Sequence, residues 1–234
     1  MGLSENLNAL EGRIQAACTR AGRPRESVTL LAVSKGQMAE RIEEANRLGL
    51  PLFGENRVQE AKAKIPLCPS RTRWHMIGHL QSNKCRDAVA LFEMVQSVDS
   101  AALAGELDHW AEKLSRKLEV LLEVNVSGEG TKFGLKPEAL PAELQQINQL
   151  PRLEVRGLMT IAPWSDDPER ARPVFRRLRE LKAECEAVLG ASLPHLSMGM
   201  TGDFEVAIEE GATLIRIGTA LFGPRPKAAP APET

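Results

Sequence analysis

HLSMGMTGDFEVAIEEGATLIRIGTALFG, residues 195–223, is the stretch that decides the fold. It opens on a short strand, turns at Gly199 to Thr201, and continues as a helix containing Val206 and Ile208. A second β-branched run, TLIRI at 213–217, follows, and the chain turns again at Gly218 and Thr219. Strand, helix, strand in this order is the repeating unit of a parallel sheet, because parallel neighbours need a crossover connection.

The same alternation runs back through the whole chain. Strand candidates lie at 28–34, 52–54, 73–78, 94–98, 119–126, 153–159, 195–198 and 213–217. Between them, Met38, Ile42 and Ala45 share one helical face, and Leu103, Leu107, Trp110 and Leu114 repeat at helical spacing behind Ser100, a good N-cap. Pro137 suits a first helical turn ahead of Leu140, Leu144 and Ile147. Val174, Phe175, Leu178, Leu181, Cys185 and Val188 form the clearest stripe. An extra amphipathic helix over about residues 4 to 21 precedes the first strand, with Leu3, Leu7, Leu10, Ile14 and Ala17 on one face, and is expected to pack outside the sheet or close its bottom.

Eight strands alternating with helices can form an open doubly wound sheet or a closed barrel. The count favours a single (β/α)8 TIM barrel with an extra N-terminal helix, and several strands are near-continuous apolar runs, as strands covered on both faces should be. The expected organisation is one barrel over 1–223 and a disordered Pro- and Ala-rich tail over 224–234.

Thirty basic residues face thirty-one acidic ones, a net charge of −1, so no general basic field exists to hold nucleic acid or an anionic membrane. Any anion must be captured locally. No apolar run is long enough to span a bilayer, and residues 1–13 do not resemble a secretory signal. Cys18, Cys68, Cys85 and Cys185 are scattered without paired spacing, which fits a reducing cytoplasm.

In a barrel the chemistry gathers at the strand C-termini. Those ends carry Lys35, Asn56, His79, Ser97, Asn125, Met159, Ser197 and then Arg216 with Gly218. Lys35 ends the run VTLLAVS, where apolar walls or a nearby cation would favour its neutral, nucleophilic form, able to condense with an aldehyde. The alternative is a lysine that snorkels out of the first loop into water. Ser197, Gly199, Met200, Thr201, Gly218 and Thr219 offer hydroxyls and amides at two helix starts after strands seven and eight, where this fold cradles phosphate. In isolation they are equally well read as turn residues and a cap. Arg216, within strand eight, needs an acceptor: a structural ion pair or the ring nitrogen of a bound heterocycle. No metal site is expected, since His75 and His79 lie about 13 Å apart along a strand and lack a carboxylate partner. His79 is placed at the border of the site, and Lys132, within SGEGTKFG, is read as solvated.

Seven segments taken in order, LLAVSKG, LFGENRVQEA, WHMIGHLQSNK, VNVSGEGTKFG, GLMTIAP, LSMGMTGDFEVAI and LIRIGTALFGP, resemble the pyridoxal phosphate homeostasis protein family, of the alanine racemase N-terminal-domain type. The likeness covers residues 4 to 223. It implies a fold-type III barrel that binds pyridoxal 5′-phosphate without a metal. It also implies a Schiff-base lysine at Lys35, phosphate-binding loops containing Ser197, Met200, Thr201, Gly218 and Thr219, an arginine facing the pyridine nitrogen at Arg216, and ring neighbours at Asn56 and Met159. Thr201 stands where many members have serine.

An arginine at the ring nitrogen disfavours a pyridinium and weakens the electron sink that catalysis needs. Racemisation also needs an acid/base group on each face of the substrate carbon, and the chain contains no tyrosine to resemble the second group of the racemases. The expected role is therefore a carrier or buffer in vitamin B6 and amino-acid homeostasis, with recipient enzymes as possible partners. A weak pyridoxal phosphate-dependent amino-acid racemase is the alternative, and a phosphosugar-handling barrel a more remote one.

Overall fold

The computed structural model describes residues 2–130 and 133–224. Lys132 and the residues after Pro224 that were expected to form a tail lie outside them. The chain runs α1 (Leu3–Arg20), β1 (Thr29–Val33), α2 (Ala39–Arg47), β2 (Leu52–Glu55), α3 (Val58–Lys64), β3 (Arg73–Met76), α4 (Cys85–Leu91), β4 (Met94–Val98) and α5 (Ala101–Lys113). It continues through β5 (Leu118–Glu123), α6 (Leu140–Ile147), β6 (Leu153–Met159), α7 (Arg172–Leu189), β7 (His195–Ser197), α8 (Phe204–Glu209), β8 (Leu214–Ile217) and α9 (Thr219–Phe222). The eight strands are parallel and close in chain order, with Leu31 of β1 paired to Arg216 of β8 and Ala32 to Ile217.

Side-chain alternation divides the core in two. One set of each strand's residues meets the helices in a large apolar layer that includes Leu30, Ala32, Phe53, Trp74, Val95, Leu122 and Ile215. The other set fills the barrel, where Leu31, Leu52, Ile77, Met94, Leu121, Met159 and Leu214 pack together. These side chains fill the middle of the barrel. Parity also carries Arg216 inward, two residues beyond Leu214, and Gln96 inward, two beyond Met94.

Helix α1 lies outside the barrel across α8 and α9. Its Leu3, Leu7, Leu10, Ile14 and Ala17 are buried, Asn6 Nδ2 donates to the Leu221 carbonyl at 2.9 Å, and Arg13 and Arg20 pair with Glu205 and Glu209. Ser100 caps α5, accepting from the Leu103 amide at 3.2 Å. Several expected boundaries move by one to three residues, two of them for a visible reason. Strand β5 stops at Glu123, because Val124 and Asn125 turn to bridge Leu135 in the loop that follows. Helix α6 begins at Leu140 with Pro141 in its first turn, while Pro137 stands in the turn before it.

Candidate functional site

At the C-terminal ends of the strands a cleft of about 670 Å³ opens between the loops after β1, β2, β6, β7 and β8. Lys35, Asn56, Met200, Thr201, Arg216, Gly218 and Thr219 line it. Strand pairing explains the grouping: β1 lies beside β8, so the loop carrying Lys35 abuts the turn at Gly218, where an added Cβ would sit 3.5 Å from Val33. The cleft also takes in Gln37, Ile77, Asp203 and Trp164, which the strand-end reading missed because three of them stand within loops of unknown course. Trp164 is 86% exposed at the rim.

Lys35 is half-buried, two residues past the end of β1. Thr201 Oγ1 accepts from the Ala220 amide at 3.4 Å, joining the loop after β7 to the start of α9. That hydroxyl keeps its own proton and a second lone pair for a ligand. Asn56 is set by close backbone contact. A Cβ on Gly78 would approach the Asn56 carbonyl to 2.4 Å, so only glycine lets the loop after β3 lie against it. The Asn56 Oδ1 is buried and has no hydrogen-bond partner among the described residues. Leaving such an acceptor unpaired costs about 1–3 kcal/mol, which a ligand's donor could recover.

Arg216 is 4% exposed and holds a fixed direction. Its Nη1 donates to Ser197 Oγ at 2.7 Å and its Nη2 to the Thr160 carbonyl at 2.8 Å. Burial lowers its pKa to about 10, opposed by Glu123 and Asp203, so it remains a cation at neutral pH. The bonds continue inward: Ser197 Oγ donates to Gln96 Oε1 at 2.6 Å, and Gln96 Nε2 lies 2.9 Å from His75 Nδ1. Burial, with the charges of Arg73 and His195, holds the His75 pKa down at about 3, so its ring is neutral. Because the Gln96 oxygen is occupied by Ser197, its amide must donate, which places the His75 proton on Nε2. Arg216, Ser197, Gln96 and His75 therefore form one chain of donors running in a single direction across the barrel.

Two of the nine expected site residues stand apart from the cleft lining. Ser197 is fully buried and spends its hydroxyl between Arg216 and Gln96, below the loop amides it was expected to join. Met159 is fully buried in the barrel interior against Leu31, Leu121 and Leu214. Gln96 went unnoticed in the sequence; two-residue parity with Met94, together with the need of a buried arginine for acceptors, could have found it. His79 also stands off the lining: its ring stacks on Phe133 at 3.6 Å, and its Nδ1 lies 3.3 Å from Asp99 Oδ2. Nearby, burial raises the Glu123 pKa to about 7, opposed by Arg216 and assisted by Asp99. Among the described residues, no group of three or more His, Cys, Asp or Glu side chains could hold a metal ion, and no helix is long and apolar enough to cross a membrane.

The fold and site define a parallel (β/α)8 barrel whose strand ends gather a lysine, an oriented arginine and two adjoining polar loops in one cleft. Residues 6–226 match the family model described as alanine racemase, N-terminal domain. Pyridoxal phosphate homeostasis proteins of Aquifex aeolicus and Pseudomonas aeruginosa are 47% and 45% identical to the chain. The matches cover 96% of this chain and 99% of the first relative, and 98% of each chain for the second. PipY of Synechococcus elongatus, solved with PLP bound, superposes with a TM-score of 0.82 at 41% identity, covering 95% of this chain and all of that one. An alanine racemase of Clostridium difficile, 16% identical, shares the fold over 57% of its own length with a TM-score of 0.76. The chain belongs to the alanine racemase N-terminal-domain family, among its pyridoxal phosphate homeostasis proteins.

Proposed function

We propose that this chain binds pyridoxal 5′-phosphate as a Schiff base on Lys35 and acts in vitamin B6 and amino-acid homeostasis as a carrier or buffer. The observation that carries the reading is the convergence of Lys35, Arg216, Thr201 and the unpartnered Asn56 oxygen on one cleft. The site fits the group. Lys35 supplies the amine, the loops at Met200–Thr201 and Gly218–Thr219 supply amides and a hydroxyl for the phosphate, and Arg216 supplies a cation to the ring nitrogen. When bound, pyridoxal phosphate contributes an aldehyde that condenses reversibly with an amine, and an electron sink whose strength depends on protonation of its ring.

The carrier reading rests on Arg216. A guanidinium that stays charged at neutral pH would, if it faces the ring nitrogen, oppose its protonation. Its donors are already aimed by Ser197 and Thr160, so it does not swing away at low cost. Capture and release at Lys35 would limit free aldehyde and hand the cofactor to recipient enzymes, with the cytoplasm as the expected compartment.

The test is an assay of optical inversion across L- and D-amino acids, run beside transfer of the cofactor to an apoenzyme. A carrier shows transfer with negligible inversion. Turnover at ordinary enzyme rates that disappears in Lys35→Ala establishes the racemase alternative instead.

A further inference from the structure

A second lysine, outside the cleft lining, braces the first. Lys64 closes α3 and is 8% exposed, and all three protons of its ammonium have acceptors. These are the Ser34 carbonyl at 2.7 Å, Glu55 Oε1 at 2.7 Å and Glu60 Oε1 at 2.8 Å. Sequence spacing assembles the cluster. Glu60 and Lys64 are four apart on one helix and share a face, while Glu55 ends β2 directly beside β1. Ser34 completes it, its amide bonded to the Gly54 carbonyl at 3.1 Å and its hydroxyl to Glu55 Oε1 at 2.7 Å.

Glu60 Oε1 also accepts from the amide of Gly36 at 2.5 Å, and Gly36 turns the chain with φ of +73°. The carbonyl preceding Lys35 and the amide following it therefore end on the same ion cluster. Buried ion clusters are poor sources of net stability, since desolvation offsets much of their attraction. This one is well placed to fix a backbone. With its protons all engaged, the Lys64 amine is also no rival for an aldehyde.

We infer that Lys64, with Glu55 and Glu60, is a positioning group that clamps both peptides flanking Lys35 and so sets the approach of its amine to the cofactor. The inference rests on the Schiff-base reading above. It is tested in the full chain with Lys64→Met, which keeps the length of the stem and removes the charge. Two quantities are read: the rate of imine formation with pyridoxal phosphate, and affinity for pyridoxine 5′-phosphate, which has the same ring and phosphate but no aldehyde. Misplacing a reacting group by a fraction of an ångström should slow imine formation about tenfold or more, while the affinity for pyridoxine phosphate changes by about twofold at most.

Unchanged imine formation, or equal loss of both quantities, overturns the positioning role. Should Lys64→Met not fold, Glu60→Leu cuts the tie to Gly36 from the solvent side, and Glu60→Gln keeps an acceptor there. The proposal then requires slow imine formation in the first and recovery in the second, and their equality overturns it. Wild-type protein that forms no imine at Lys35 overturns the Schiff-base reading itself, and the clamp with it.

Discussion

Replacing Gln96 by Leu should destabilise the protein by about 1–5 kcal/mol, although Gln96 lies outside the cleft lining. The side chain is fully buried, and it joins Ser197 to His75 through both ends of its amide. Leucine removes two hydrogen bonds and leaves two buried groups without a partner, the Ser197 hydroxyl proton and the His75 Nδ1. Each unpaired group costs about 1–3 kcal/mol, and the added apolar surface returns about 1 kcal/mol. Denaturant midpoints read at constant slope measure the loss. The chain makes a sharper demand. Adding Ser197→Ala to Gln96→Leu should cost at least about 1 kcal/mol less than Ser197→Ala alone, because groups joined in one network are not additive. A loss under about 0.5 kcal/mol for Gln96→Leu, or strict additivity, would refute the buried chain as a connected support for Arg216.

Other consequences are read at single positions. Arg216→Glu exchanges a cation for an anion at the ring nitrogen and should favour ring protonation, changing the absorbance of bound cofactor; an unchanged spectrum means that Arg216 does not face the ring. Glu123 is a pH-dependent element. Its folded pKa of about 7 lies above the ordinary 4.5, so its contribution is fully present below pH 4.5 and is lost as pH rises through 7. The rise corresponds to about 3 kcal/mol at most. Thermal melts from pH 5 to 8 should show wild type losing stability relative to Glu123→Gln, and parallel curves count against the buried acid.

Much of the architecture was visible in the order of apolar runs. All eight strands overlap the stretches expected from the sequence, and 94–98 and 153–159 match residue for residue. Closure follows from the count. The end of β5 was less legible: 124–126 looks as apolar as the strand before it, and only tertiary bonding to Leu135 turns the chain there. In the site, seven of the nine expected residues share the cleft because strand ends in a barrel must converge. Ser197 could not be assigned by position alone, since a hydroxyl at a strand end can point up to a loop or sideways to a neighbour. Its inward partner on β4 is 101 residues away in sequence. The Lys64 cluster was hidden for the same reason, as nothing local in VQEAKAK distinguishes a buried ammonium from a surface one.

The account depends on one amine. Incubation of the full chain with pyridoxal 5′-phosphate, reduction with borohydride and peptide mass mapping locate the covalent adduct. The account predicts a single phosphopyridoxyl group on Lys35, absent from Lys35→Ala. A label on Lys64 or any other lysine, or a chain that stays unlabelled, contradicts it.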